Sequence, residues 1–310
     1  MPVDCHAHWI PAGLARLLAG RSAPPRLQGN VLVTWHARRP VQPLLDVQAR
    51  LQCGVQMQLL SLAPLFGVDC LPVEEALPLV RCFNEETAEL CRRHPGQFAG
   101  LAALPVADTS AAVAELQRAR SLGLRGAALP ADAVASRRPA ERLRPVFEAA
   151  DAMRAHLFIH PGPAVPQAER DVRAEGTDAW LRHVALDAQA RLSECVLTLA
   201  GSGFLDAYPR VSVQIANLGG TIPFLLERMQ NVAADDARIA MRLRRCYVDT
   251  ASFGARAVAL AVDVFGIERV VFGTDCPIFS VENTLAALAP LPRATRRAIL
   301  EDNPRRLLEA

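Results

Sequence analysis

The chain has 310 residues, is 51% hydrophobic and carries a formal net charge of +2. That length and apolar content suffice for one large core, and the near-balanced charge, with no basic block beyond pairs such as Arg38-Arg39 and Arg137-Arg138, argues against a nucleic-acid partner. Lysine is absent, which excludes Schiff-base chemistry through a lysine amine and a carboxylated lysine bridging two metals, so any metal site is expected to be mononuclear.

The eight cysteines lie at 5, 53, 70, 82, 91, 195, 246 and 276 and form no C-x-x-C pair. Most sit in apolar runs and read as buried reduced thiols of a cytoplasmic protein, with Cys5 in the core. Met1 leads directly into the first strand, and no apolar run is long enough to span a bilayer. A soluble protein with no membrane partner is expected.

In chain order, Pro2 to Cys5 reads as a buried strand running into His6 and His8. Residues two apart in extended backbone share a face, so the two imidazoles converge just past the strand end, as a divalent metal requires. The stretch Arg21–Pro43 contains four prolines and reads as a long loop over a mouth. His36 within it is a candidate substrate contact, an ordinary loop histidine being the alternative. A helix from Leu44 to Cys53 ends at Gly54, and a strand over 55–60 ends at Ser61. The helix Glu74–Arg93 is acidic at its start and basic at its end, which complements its dipole, and His94 reads as a helper at its C-terminus.

The alternation continues. Strands over 98–104, 124–129, 155–159, 211–216, 246–249 and 269–273 meet Pro105, Pro130, His160, Asn217, Thr250 and Thr274 in turn. Helices over 110–122, 140–154, 177–205, 222–234 and 255–265 follow the first to fifth of them. Two further helices, near 281–288 and 293–301, and a terminal turn or helix over 304–309 close the chain. Eight apolar strands, each followed by helix, imply a parallel sheet covered on all sides, and eight units close naturally into a (β/α)₈ barrel, one domain over residues 1–310. An open doubly wound sheet is the alternative, but no Gly-x-Gly-x-x-Gly turn follows the first strand.

In such a barrel the functional groups stand at the C-terminal ends of different strands. Here those ends carry His6 and His8, His160, Asn217 and Asp275, and closure brings the eighth strand beside the first. Three neutral imidazoles and one carboxylate suit Zn²⁺ with an open position. The competing reading makes His160 a core histidine and Asp275 a helix cap.

The stretches Val3-Asp-Cys-His-Ala-His8, Leu157-Phe-Ile-His-Pro161, Tyr208-Pro-Arg-Val, Leu218-Gly-Gly-Thr-Ile-Pro-Phe224 with Arg228, Phe272-Gly-Thr-Asp-Cys-Pro277 and Asn303-Pro-Arg-Arg-Leu-Leu308 resemble the amidohydrolase-superfamily group of aminocarboxymuconate-semialdehyde, γ-resorcylate and carboxyvanillate decarboxylases. The resemblance runs through the whole chain in order, but the group contains decarboxylases, hydratases and hydrolases. It implies that His6, His8, His160 and Asp275 bind one divalent metal, usually zinc and sometimes manganese, and that the substrate is a small carboxylic acid. Arg228 matches an arginine that in the semialdehyde decarboxylase reaches a substrate carboxylate across a dimer interface, which implies a homodimer; a surface helix arginine is the alternative.

One departure stands out. The group usually has His-x-Gly-Gly after the sixth strand, and this chain has Asn217-Leu-Gly-Gly. Asparagine donates and accepts hydrogen bonds but does not titrate near neutral pH, so it is no general base. No other histidine obviously replaces it: His156 reads as packing, and His183 reaches the mouth only if the region after the fifth strand brings it there. Three readings follow. In the first, a decarboxylase keeps the metal to hold a carboxylate while Asp275 handles the proton. In the second, hydrolysis, hydration or a cyclising condensation occurs at the same metal, with Asn217 polarising a carbonyl or holding an oxyanion. In the third, a degenerate member binds without turnover.

Overall fold

The structure is a computed structural model, and it describes residues 1–232 and 238–309. Eight parallel barrel strands lie among the described residues, interleaved with a small antiparallel sheet. The barrel strands are β1 (Val3–His8), β5 (Met57–Ser61), β6 (Phe98–Gly100), β7 (Gly126–Pro130), β8 (His156–His160), β9 (Ser212–Ile215), β10 (Cys246–Asp249) and β11 (Val270–Val271). They pair in the order β1-β5-β6 and β7-β8-β9-β10-β11. Isolated parallel bridges at Ala102–Ala127 and Ala7–Cys276 join the two groups at both seams. At the second seam Cys5 N donates to Phe272 O at 2.8 Å and Asp275 N to His6 O at 2.7 Å. The first strand is therefore closed against the last, as the (β/α)₈ reading requires. Every residue of β1 is buried, and the barrel strands are apolar on both faces because helices cover the outside.

Helix boundaries follow local chemistry. The helix Val73–Arg93 carries Glu74 and Glu75 in its first turn and Arg92 and Arg93 in its last. Asp108 caps Thr109–Ser121 by accepting from Ala111 N at 2.8 Å. The expected helix Leu44–Cys53 is instead two short helices, Gln42–Leu45 and Val47–Leu51. Asp46 separates them, its carboxylate accepting from Ala49 N and starting the second. The strand expected over 98–104 is regular over Phe98–Gly100 and pairs on through Ala102, beyond which the Asn84 side chain takes over the backbone of Ala103. The last two residues of the helix expected over 222–234 lie outside the described residues; Ile222–Val232 is helical.

The largest correction concerns Arg21–Pro43. It is a strap carrying three antiparallel strands, β2 (Arg26–Gln28), β3 (Val31–Val33) and β4 (Arg38–Pro40), rather than a structureless loop. The four prolines hid a hairpin whose apolar Leu32 and Val33 are buried. The strap is fastened to the loop after β8. Arg170 N donates to Trp35 O and Val172 N to His36 O, while Glu169 pairs with both Arg26 and Arg38. After that loop, residues 177–201 form one long helix with π-helical segments at Arg182–Asp187 and Leu197–Gly201. All eight cysteines are free thiols and none is exposed. No described helix is long and apolar enough to cross a membrane.

Candidate metal centre

At the C-terminal end of the barrel, one ligand atom from each of His6, His8, His160 and Asp275 lies within 4.8 Å of the other three. The Nε2 atoms of His6 and His8 are 3.1 Å apart, and those of His8 and His160 are 3.1 Å apart. Asp275 Oδ1 lies 3.2 Å from His8 Nε2 and 3.6 Å from His6 Nε2. Ligands held tetrahedrally at roughly 2.0–2.1 Å from one ion would stand about 3.3 Å apart, close to these four spacings, while the 4.8 Å limit leaves the set more open than a regular tetrahedron. The three rings meet nearly edge to face, with interplanar angles of 77°, 85° and 89°.

The opposite edges of the rings set their tautomers. His6 Nδ1 donates to Asp249 Oδ1 at 3.1 Å, His8 Nδ1 to Ser61 Oγ at 3.0 Å, and His160 Nδ1 to Pro161 O at 2.9 Å. Asp249 and the Pro161 carbonyl can only accept, so these nitrogens carry the protons. Three Nε2 lone pairs then face one another beside a carboxylate, in a fully buried place. Such an arrangement needs a cation at its centre, and the N₃O donor set fits a single divalent metal ion. Burial opposes charge on His6, but the Asp249 carboxylate against it holds its imidazole up to about 9. Burial, and then the charge of His6, pushes His8 well below the usual imidazole range, and burial with the other two rings does the same to His160.

The backbone of the last strand is fixed by a second buried carboxylate. Asp4 accepts from His6 N, Thr274 N, Thr274 Oγ and Gln58 Nε2 at 2.7–3.1 Å. This ties β1, β5 and the turn carrying Asp275 together. Gly273 makes that approach possible, because a Cβ there would lie 2.7 Å from His6 Cβ and 2.8 Å from Asp249 Cβ. Asp275 itself has φ +60 and its side chain is 15% exposed. Burial raises its carboxyl above the usual range. Asn217 and Leu218 share the left-handed conformation, at φ +55 and +56, which asparagine tolerates well. Asn217 N donates to Asp249 Oδ1 at 3.2 Å, and its buried side-chain Oδ1 has no hydrogen-bond partner in the protein.

The cluster floors a cavity of about 520 Å³ lined by His8, His160 and Asp275, by Asn217 and Gln189, and by the apolar walls Phe66, Phe253 and Trp180. His36, Arg39, Arg173 and His183 also line it. Arg39 lies over the Phe66 ring at 5.8 Å, and Arg173 over Trp180 at 4.1 Å. His36, read from the sequence as a candidate substrate contact, is among the lining residues. Arg228 is exposed on the helix Ile222–Val232 and does not line the cavity of a single chain. His156 packs between Ser212 and Gln214 away from the cavity, as expected. Sequence reasoning missed Asp249, Arg39 and Arg173. Position was the only signal for the first, an acid at a barrel strand's C-terminal end.

Comparison with known proteins places this geometry. The sequence profile described as amidohydrolase matches residues 3–310. A 2-amino-3-carboxymuconate-6-semialdehyde decarboxylase from Dictyostelium discoideum is 27% identical over 246 residues, covering 76% of this chain and 66% of that protein. A gamma-resorcylate decarboxylase from Rhizobium radiobacter is 27% identical over 294 residues, covering 86% of this chain and 88% of that one. The crystal structure of 5-carboxyvanillate decarboxylase from Novosphingobium aromaticivorans, complexed with manganese and 4-hydroxy-3-methoxy-5-nitrobenzoic acid, has the same fold. Its TM-score is 0.80 at 19% identity, covering 100% of this chain and 96% of that one.

Proposed function

The chain belongs to the amidohydrolase family, and within it we propose that this protein is a metal-dependent nonoxidative decarboxylase of an aromatic or enol-type carboxylic acid. The observation that carries the reading is the position of the three-histidine, one-aspartate cluster at the floor of an aromatic-walled cavity that also holds Arg39 and Arg173. The decarboxylase relatives support the same reaction class. We assign His6, His8, His160 and Asp275 as ligands of one ion, zinc first and manganese second, since three imidazoles and a carboxylate suit both. Bound there, the ion supplies positive charge against which a substrate carboxylate and an adjacent oxygen are held.

The chain's own groups do the rest. Phe66, Phe253 and Trp180 sandwich a planar ring and exclude water. Asp275, which faces the cavity, is the group assigned to hand a proton to the ring carbon that loses CO₂. Asn217 presents its unpartnered Oδ1 in the cavity wall, where it can accept from a substrate hydroxyl. The decarboxylase relatives favour this reading over hydrolysis or hydration at the same centre, and a degenerate binder is disfavoured by the complete ligand set. The reading further takes the protein as one domain over 1–310, a cytoplasmic homodimer, with Arg228 reaching a substrate carboxylate in the partner subunit.

The test is a panel of hydroxybenzoates, including gamma-resorcylate and 5-carboxyvanillate, offered to the zinc- or manganese-loaded protein with CO₂ release as readout. Release from at least one acid, lost on chelation and restored by metal, is expected. No release from any member, with hydrolysis of an ester or amide instead, would replace this reading by the hydrolytic one.

A further inference from the structure

Of the seven histidines, His8 and His160 line the cavity as part of the cluster, and two more, His36 and His183, line it without belonging to the cluster. They come from different elements, His36 from the strap and His183 from the first π-helical segment of the long helix. Their ring centroids are 5.0 Å apart at 61°. His36 Nε2 makes a close hydrogen bond to Gln167 Oε1, which can be donated only by the imidazole unless the amide is turned, so its Nδ1 is left as an acceptor. That Nδ1 is buried and has no partner in the protein. Two backbone hydrogen bonds to the loop after β8 fasten the strap on either side of this ring. On the His183 side the helix adds an extra residue per turn in its π segment, a distortion that often marks a functional position.

The groups around the pair are few. Arg39 faces the cavity from the strap, Arg170 and Arg173 come from the loop after β8, Asp187 lies one turn along the helix, Asp132 faces His36 from beyond β7, and Asp275 stands on the rim. Burial and the neighbouring His36 hold His183 below the usual imidazole value, so it is neutral at neutral pH.

We infer that His183 and His36 form a proton relay that replaces the imidazole missing at position 217. The inference rests on the decarboxylase reading given above. His183 takes the proton of a substrate hydroxyl ortho to the carboxylate. The oxyanion so formed pushes its electron pair toward the carboxylate-bearing carbon, which takes a proton from Asp275. The carbon–carboxylate bond then breaks, its electron pair restores the aromatic ring with charge on oxygen, and CO₂ leaves. His183 returns its proton to that oxygen, and Asp275 is reloaded from water. His36, held by Gln167, accepts from His183 during the cycle and keeps its ring oriented. Atoms and charge balance with one proton drawn from solvent.

The test compares wild-type, His183→Gln and His183→Ala proteins, each metal-loaded and of equal metal content. On a hydroxybenzoate that the wild type decarboxylates, kcat of both variants should fall about 100-fold, with KM little changed. Added imidazole should restore His183→Ala. The wild-type rate should fall as pH drops through a value below the ordinary imidazole range, and that limb should vanish in His183→Gln. On the analogue whose hydroxyl is acidified by an ortho nitro group, and so already ionised, the variant should match the wild type. A purely structural residue would show none of this selectivity. Activity of His183→Gln within about threefold of wild type on both substrates would overturn the relay and leave decarboxylation standing. If the wild type decarboxylates nothing, hydrogen-to-deuterium exchange into the ring of resorcinol in D₂O reads the proton steps alone. Exchange that depends on His183 would then support the relay, and its absence would overturn the relay as well.

Discussion

Asp275→Asn is expected to lower kcat/KM by on the order of 10³-fold in the metal-loaded protein. The carboxylate is the one acidic group among the cluster's four members, and it has two tasks there. As a ligand it supplies the anionic oxygen beside three neutral imidazoles. As the carboxyl that faces the cavity it is also the group placed to hand a proton to carbon. An amide cannot give up a proton, and it binds a divalent ion poorly. Folding should survive, because asparagine adopts φ +60 as readily as aspartate and the turn is held by Asp4, the Thr274 side chain and the backbone of residue 275 rather than by its side chain. Kinetics on the best hydroxybenzoate, with metal content measured in the same samples, check this. Undiminished turnover would remove Asp275 from both roles.

The second large effect lies one layer out. Asp249 is buried, accepts from His6 Nδ1 and Gln214 Nε2, and also receives the backbone N–H groups of Asn217 and Ala251. It therefore fixes the His6 ring and makes its Nε2 a better donor. Asp249→Asn is expected to weaken metal binding about 10–100-fold. The pH dependence distinguishes this from general damage. In the metal-free protein Asp249 holds His6 up to about 9, so its proton must leave when metal binds. Apparent affinity should then rise about tenfold per pH unit toward pH 9 in the wild type. In Asp249→Asn burial meets only the weaker pull of Asp275 and Asp4 on His6, and the slope should flatten. The same shift has a sign for stability. His6 is raised on folding, so its contribution is complete below its unfolded value of about 6.5 and is lost as pH rises through about 9. The metal-free protein should lose stability over that window. Competition with a coloured chelator at several pH values, and chemical denaturation of the metal-free form, read both effects. A mutant with wild-type affinity and slope would show that Asp249 does not tune the centre.

Much of the centre is visible in the residues alone because strand geometry is regular. His6 and His8 share a face by the period of extended backbone, and β/α alternation sends His160 and Asp275 to the same rim. What escaped the sequence depends on long-range packing. Asp249 meets His6 across 243 residues of chain, and no local pattern announces such a partner. Arg39 reads as half of a basic pair until the strap folds its hairpin over the mouth. His183, which the sequence offers only as able to reach the mouth, lines the cavity from a π-helical segment, a local form that periodicity at 3.6 residues per turn does not register.

Metal content of the reconstituted, desalted protein, read by plasma emission spectrometry on the wild type and on His160→Ala, tests the centre most directly. One divalent ion per chain is predicted for the wild type, and well under a tenth of that for a folded His160→Ala protein. A folded wild type that takes up no ion, or a His160→Ala protein that retains one, would contradict it.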